Sequence, residues 1–193
     1  MCSSDLGVVQ PVRARVNQGR FELAADAIEA AITPTTRALL LNTPWNPVGT
    51  VLREDELRAI GEVVLRHKLV LISDEIYEAI VYDGHRHVSP VSLSPELRAR
   101  TILVNSLSKT YAMTGWRVGY CAAPAPLIKA MFLVLQQSSR GPATFIQDAA
   151  AAALSGDQQP VEAMRLEYAA RRAAVTTALA GLPRIQVREP EGG

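Results

Sequence analysis

The sequence predicts an α/β architecture with a mostly parallel sheet. Short apolar runs, read as buried strands, alternate with longer stretches whose apolar residues recur at helical spacing. Polar clusters stand directly after three of these runs, around Asn46, around Asp74 and from Ser106 to Lys109. In parallel sheets, ligands sit at the carboxyl ends of the strands, so three such clusters point to one site rather than to packing.

The elements follow in order. From Phe21 to Ile32, Ala24, Ala27, Ile28, Ala31 and Ile32 fall at helical spacing, and Pro34 ends the helix. Ala38–Leu41 reads as a buried strand. Asn42-Thr43-Pro44-Trp45-Asn46-Pro47-Val48-Gly49 is rich in turn formers. Beyond Arg53 a helix places Leu57, Ile60 and Val64 on one face. Leu69–Ile72 is a second buried strand, ending at Ser73-Asp74. Tyr82-Asp83-Gly84 marks a turn, Thr101–Val104 a third strand and Arg117–Ala122 a fourth. Three helices are expected over 126–138, 144–154 and 161–179. Pro183 breaks the pattern, and Ile185-Gln186-Val187 reads as the beginning of a strand.

The bulk properties exclude several classes. At 193 residues the chain suits one domain with a sizeable core. Twenty basic and nineteen acidic side chains leave a net charge of +1, which indicates no nucleic-acid or membrane-surface partner. The two cysteines, Cys2 and Cys121, form no CxxC pair, and Cys121 is expected as a buried thiol in an apolar strand. No apolar run reaches membrane-span length, and the first residues lack a signal-peptide pattern, so a cytoplasmic location is expected.

Lys109 follows a buried strand and two hydroxyls, in Asn105-Ser106-Leu107-Ser108-Lys109. Alone it reads equally as a solvated loop lysine. Arg117 lies eight residues on, at the start of an apolar strand, where its planar fork of donors would suit a phosphate. Asp74 ends a buried strand, as a helix cap or as the partner of a cation. Tyr77 shares its side if a helical turn begins there, and Glu75 then points elsewhere.

Taken together, these motifs resemble the class I and II aminotransferases, enzymes of the aspartate aminotransferase fold that use pyridoxal 5′-phosphate (PLP). Asn46-Pro47-x-Gly49 resembles the family's Asn-Pro-Thr-Gly turn, with Val48 in place of the threonine. Ser73-Asp74-Glu75-Ile76-Tyr77 resembles its Asp-Glu-x-Tyr segment. Ser106-x-Ser108-Lys109 with Gly115-Trp116-Arg117-x-Gly119-Tyr120 resembles its lysine-attachment signature. The resemblance runs from about Pro11 to Gly193. It implies a three-layer α/β/α large domain with a mostly parallel sheet.

The resemblance also implies roles. Lys109 forms the Schiff base with PLP and shuttles the proton in transfer of an amino group from an amino acid to a 2-oxo acid. Asp74 pairs with the pyridinium nitrogen, Tyr77 and Asn46 bond the cofactor's O3′, and Ser106, Ser108 and Arg117 hold the 5′-phosphate. A carbon–sulfur β-lyase of the same fold, or an inactive truncated product, stays open as an alternative. A homodimer is implied for the full-length form.

His85-Arg86-His87 reads as a solvated loop rather than a metal site. Arg165, Arg171 and Arg172 read with Glu162 and Glu167 as an ordinary charged helix face. Arg140 reads as a loop residue or, in the resembled family, as a group near the partner subunit's site that meets a substrate carboxylate. The expected organisation is a partial PLP-binding large domain over 7–182 and the start of a small C-terminal domain over 183–193. The glycine-rich phosphate loop and stacking aromatic of the family precede this region, and its α-carboxylate arginine follows it. Cys2-Ser3-Ser4-Asp5-Leu6 matches one reading frame of a sequencing-library adaptor, so residues 1–6 are expected to be non-native.

Overall fold

The structure, a computed structural model, describes residues 7–193; the stretch expected to be non-native lies outside the described residues. Its centre is a four-stranded sheet in the order β3-β4-β5-β6, formed by Ala38–Asn42, Val70–Asp74, Thr101–Ser106 and Gly119–Ala122. β3, β4 and β5 are parallel, and β6 closes the edge antiparallel to β5. The sheet is therefore mostly parallel, as the alternation of apolar runs and helices predicts.

Register follows from the side-chain period of two. Leu41 and Leu71 are buried on the face that receives the main core, whereas Leu40 on the other face of β3 is 69% exposed. Two helices cover the core face: α1 (Ala25–Ala31) and α2 (Glu54–Arg66). Leu57, Ile60, Val63 and Val64 of α2 pack with Ile28 of α1, with Leu41, Leu69 and Leu71, and with Leu97 of the short helix α3 (Pro95–Arg98). Each such burial contributes about 1.5–3 kcal/mol. Glu54, Asp55 and Glu56 open α2, where carboxylates suit the free N–H groups, and Glu56 accepts from the Arg53 N–H at 2.7 Å. Ser94 starts α3 by accepting from the Leu97 N–H at 3.1 Å.

Several expectations need correction. Phe21 does not begin the first helix. It lies in a hairpin of β1 (Arg15–Asn17) and β2 (Arg20–Glu22), and the helix starts at Ala25. Turn residues Gln18 and Gly19 both have positive φ, which closes the hairpin, so local turn chemistry overrides the helical period there. The fourth strand begins at Gly119 rather than Arg117, because Arg117 is in the left-handed region at φ 53°. Cys121 is exposed, because β6 is an edge strand with all four residues exposed.

After β5 the chain forms the short helix α4 (Leu107–Thr110), and after β6 come α5 (Ala125–Ser138), α6 (Thr144–Ser155) and α7 (Gln159–Ala180). Among the described residues, no helix is long and apolar enough to cross a membrane. Residues 185–187 form no strand. Instead the chain returns at 190–193 to the central sheet's loops: the Glu191 and Gly192 N–H groups donate to the Gly49 carbonyl at 2.7 and 3.1 Å, and Gly193 donates to Ile80 at 2.9 Å. Arg172 is not an ordinary surface charge either. Its guanidinium pairs with Asp83 at 2.5 Å, lies 4.7 Å from the centre of the Tyr82 ring and donates to the Pro190 carbonyl. Arg165–Glu162 and Arg171–Glu167 do form the expected surface pairs along α7.

Candidate functional site

The ends of β3, β4 and β5 lie side by side. Asn42 is in register with Asp74, and Asp74 with Val104. The chain leaves each strand there into a loop, which brings Asn46, the Asp74–Tyr77 segment and the Ser106–Lys109 segment to one edge of the sheet.

Asn42 ties the first two together. Its side chain accepts from the Asn46 N–H at 2.8 Å and donates to the Asp74 carbonyl at 3.2 Å. Asn46 in turn donates through Nδ2 to the Tyr77 hydroxyl at 3.0 Å. The Lys109 ammonium nitrogen lies 5.6 Å from the centre of the Tyr77 ring, within cation–π range. Ser106 and Ser108 hydroxyls are 3.0 Å apart, and Ser106 Oγ also accepts from the Ser108 N–H. Thr114 donates from its hydroxyl to the Ser108 carbonyl, and Arg117 donates to the Thr114 carbonyl at 3.0 Å. The loop bearing Arg117 is thus fastened to the segment bearing Lys109. The left-handed backbone of Arg117 is uncommon for a non-glycine residue, and such conformations cluster at functional sites.

Asp74 is not a true helix cap: it ends β4, and among the described residues its one side-chain bond is a long one, 3.3 Å, from the Ile76 N–H. Among the described residues no cation pairs with it. Burial, and secondarily the charge of Glu75, push its carboxyl above the ordinary range. Glu75 points the opposite way and is fully buried, which agrees with the expected divergence of neighbours on this turn.

The His85–His87 loop is not solvated as expected. His85 contacts the Arg53 guanidinium at 2.6 Å, whereas His87 turns inward to Glu75 at 2.7 Å. Sequence spacing gave no sign of either pairing, because the partners are 32 and 12 residues away. The one available signal for Asn42 was an amide at a strand end next to a turn. Arg140, at φ 58° after α5, makes no side-chain bond to the residues above.

The donor set fits PLP. An amine is available for its aldehyde, a carboxylate without a cation for its ring nitrogen, and a phenol and amide 3.0 Å apart for its ring oxygen. Two hydroxyls and a guanidinium stand on neighbouring loops for its phosphate.

Comparison with known proteins places the chain in a family. The family described as aminotransferase class I and II matches residues 4–193. The chain belongs to that family. It is 42% identical over 177 residues to the aspartate aminotransferase of Geobacillus stearothermophilus, covering 92% of this chain and 45% of the relative. It is 43% identical to the arginine–pyruvate transaminase of Pseudomonas aeruginosa, covering 96% of this chain and 46% of that one. The crystal structure of the Rhizobium meliloti aspartate aminotransferase superposes with a TM-score of 0.87 at 44% identity, over 91% of this chain and 44% of that chain. The fold is that of the aspartate aminotransferases, and family members depend on pyridoxal phosphate. The chain spans about half the length of the curated relatives it matches.

Proposed function

We propose that the protein is a PLP-dependent aminotransferase that moves an amino group from an amino acid to a 2-oxo acid, with Lys109 as the attachment residue. The observation that carries this reading is the convergence of Asn46, Tyr77 and Lys109, from three separate segments, beside Asp74 at the ends of β3, β4 and β5.

When bound, PLP supplies an aldehyde for an amine and a cationic ring that accepts the electrons left when a bond to the substrate α-carbon breaks. Lys109 would hold the cofactor through its Nζ, and when that amine is free it would serve as the base that moves the substrate α-proton. Asp74, whose carboxyl burial pushes upward, would be stabilised as a carboxylate beside a protonated ring nitrogen. Tyr77 and Asn46, already bonded to each other, would orient the ring through its O3′ oxygen. Ser106, Ser108 and Arg117 would hold the phosphate and so keep the ring in place.

On this reading, residues 7–182 belong to the cofactor-binding domain and 183–193 begin the small domain, and the enzyme serves amino-acid metabolism in the cytoplasm. The exposed Phe132, Leu133 and Val134 of α5 support a homodimer, since an apolar surface of that kind is suited to a second subunit. The test is borohydride reduction of the purified protein with PLP, followed by peptide mapping. The pyridoxyl group is expected on Lys109. A label on Lys68 or Lys129 instead overturns the assignment.

A further inference from the structure

Asp74 and Tyr77 are carried by a segment that is neither helix nor strand. From residue 75 to 80 the chain is a run of turns, held by four backbone bonds: Glu75 N–H to Val104, Glu78 N–H to Glu75, Ile80 N–H to Tyr77 and Gly193 N–H to Ile80. Backbone bonds of this number leave the direction of the two side chains loosely set. The missing constraint lies behind the turn. Glu75 has no exposed surface, and each of its carboxylate oxygens is engaged by the loop that follows: Oε2 lies 2.7 Å from His87 Nε2, and Oε1 accepts from the Ser89 hydroxyl at 2.8 Å.

A carboxylate buried without a partner costs several kcal/mol, so these two bonds fix where the 74–77 segment can sit. The His87 side chain is only 10% exposed, and among the described residues its Nδ1 has no partner, so its hydrogen bonding goes to Glu75. The charged groups around the pair are Glu78, whose carboxylate shares a cluster with Glu75 and His87 within 4.8 Å, and Asp74. Burial raises the Glu78 carboxyl, His87 draws it down and Glu75 adds to the rise. His87 is therefore the basic group set among these acids.

We propose that His87 is a positioning residue: by clamping buried Glu75 it orients Asp74 and Tyr77 toward the cofactor. This rests on the PLP reading above. The test uses the purified protein as wild type, His87→Leu, His87→Gln and Glu75→Gln, with PLP as the probe. Three quantities are measured: PLP affinity by absorbance titration, the pH midpoint of the lysine-bound chromophore, and the melting temperature without cofactor.

His87→Leu is expected to weaken PLP binding by about 10- to 100-fold, by analogy with the loss when a partner that orients a metal ligand is removed. The chromophore midpoint should move with it, because Asp74 and Tyr77 face the ring. His87→Gln, which keeps an N–H donor, should recover most of the affinity. Glu75→Gln keeps hydrogen-bonding atoms but loses the charge, and should move the midpoint even if His87→Leu does not fold. Variants that lose melting temperature while wild-type affinity and midpoint persist would overturn the proposal and leave the pair as a folding element. Failure of the wild type to bind PLP overturns the parent reading, and is distinguishable because it appears before any variant is compared.

Discussion

Gly49→Ala tests whether the Asn46 turn is buttressed by the chain's return at residues 190–193. Gly49 has φ +73°, and a Cβ built there meets Pro190 Cβ at 2.5 Å and Pro190 Cα at 2.9 Å. Two separate costs follow. Placing an L side chain in the left-handed region costs about 1–2 kcal/mol. Forcing an extra methyl against packed atoms adds about 1–3 kcal/mol. Gly84 isolates the first cost, because it has the same φ of +73° with nothing within 4 Å of its added Cβ. Gly84→Ala should therefore lose only the backbone part, and Gly49→Ala should lose about 1–3 kcal/mol more. The assay is urea unfolding of wild type and both variants, compared at equal m-value. Because the Glu191 and Gly192 N–H groups bond the Gly49 carbonyl, Gly49→Ala should also weaken PLP binding through the Asn46 turn, whereas Gly84→Ala should not. Equal stability losses in the two variants would refute the packing of Pro190 on this turn.

The other expectations concern charge and core. Asp74→Asn should raise the cofactor-free stability at neutral pH. Burial raises the Asp74 carboxyl, so its favourable contribution exists below the ordinary value of 3.8 and is lost as pH rises through the folded value; the two proteins should converge in acid, as read by melting temperature against pH. In the full-length enzyme of the proposed function, the same substitution should lower turnover by orders of magnitude, since an amide would not stabilise a ring cation, and near-normal turnover would refute that role. Glu191→Gln should behave oppositely. Burial favours the protonated Glu191, but the Val51 N–H and the charges of Arg20, Arg53 and His85 outweigh it and hold the carboxyl below 4.5, so its contribution is present above 4.5 and fades as pH falls through the lower folded value. Ile60→Ala should cost about 2–5 kcal/mol in urea unfolding, because its side chain is 1% exposed at the centre of the main core.

Much of this molecule is written in local sequence. The apolar runs ending near Asn42, Asp74 and Asn105 mark three parallel strands, whose alternate residues, such as Leu41 and Leu71, build the main core. The turn formers after Asn42 and the hydroxyls before Lys109 mark strand ends, and a parallel sheet places all such ends on one edge. Asn46, Asp74, Tyr77 and Lys109 were therefore legible as a group from order and spacing. Tertiary structure alone decided the rest. The antiparallel edge of β6 and the exposure of Cys121 depend on which strand finds a neighbour. The inward turn of His87 to Glu75, the bond of Asn42 to the Asp74 carbonyl, and the return of Glu191 to Gly49 join segments that are separate in the sequence. Periodicity reports which face of an element is apolar, but it carries no information on which distant polar group will satisfy a buried one; that is settled only when the segments pack and water leaves.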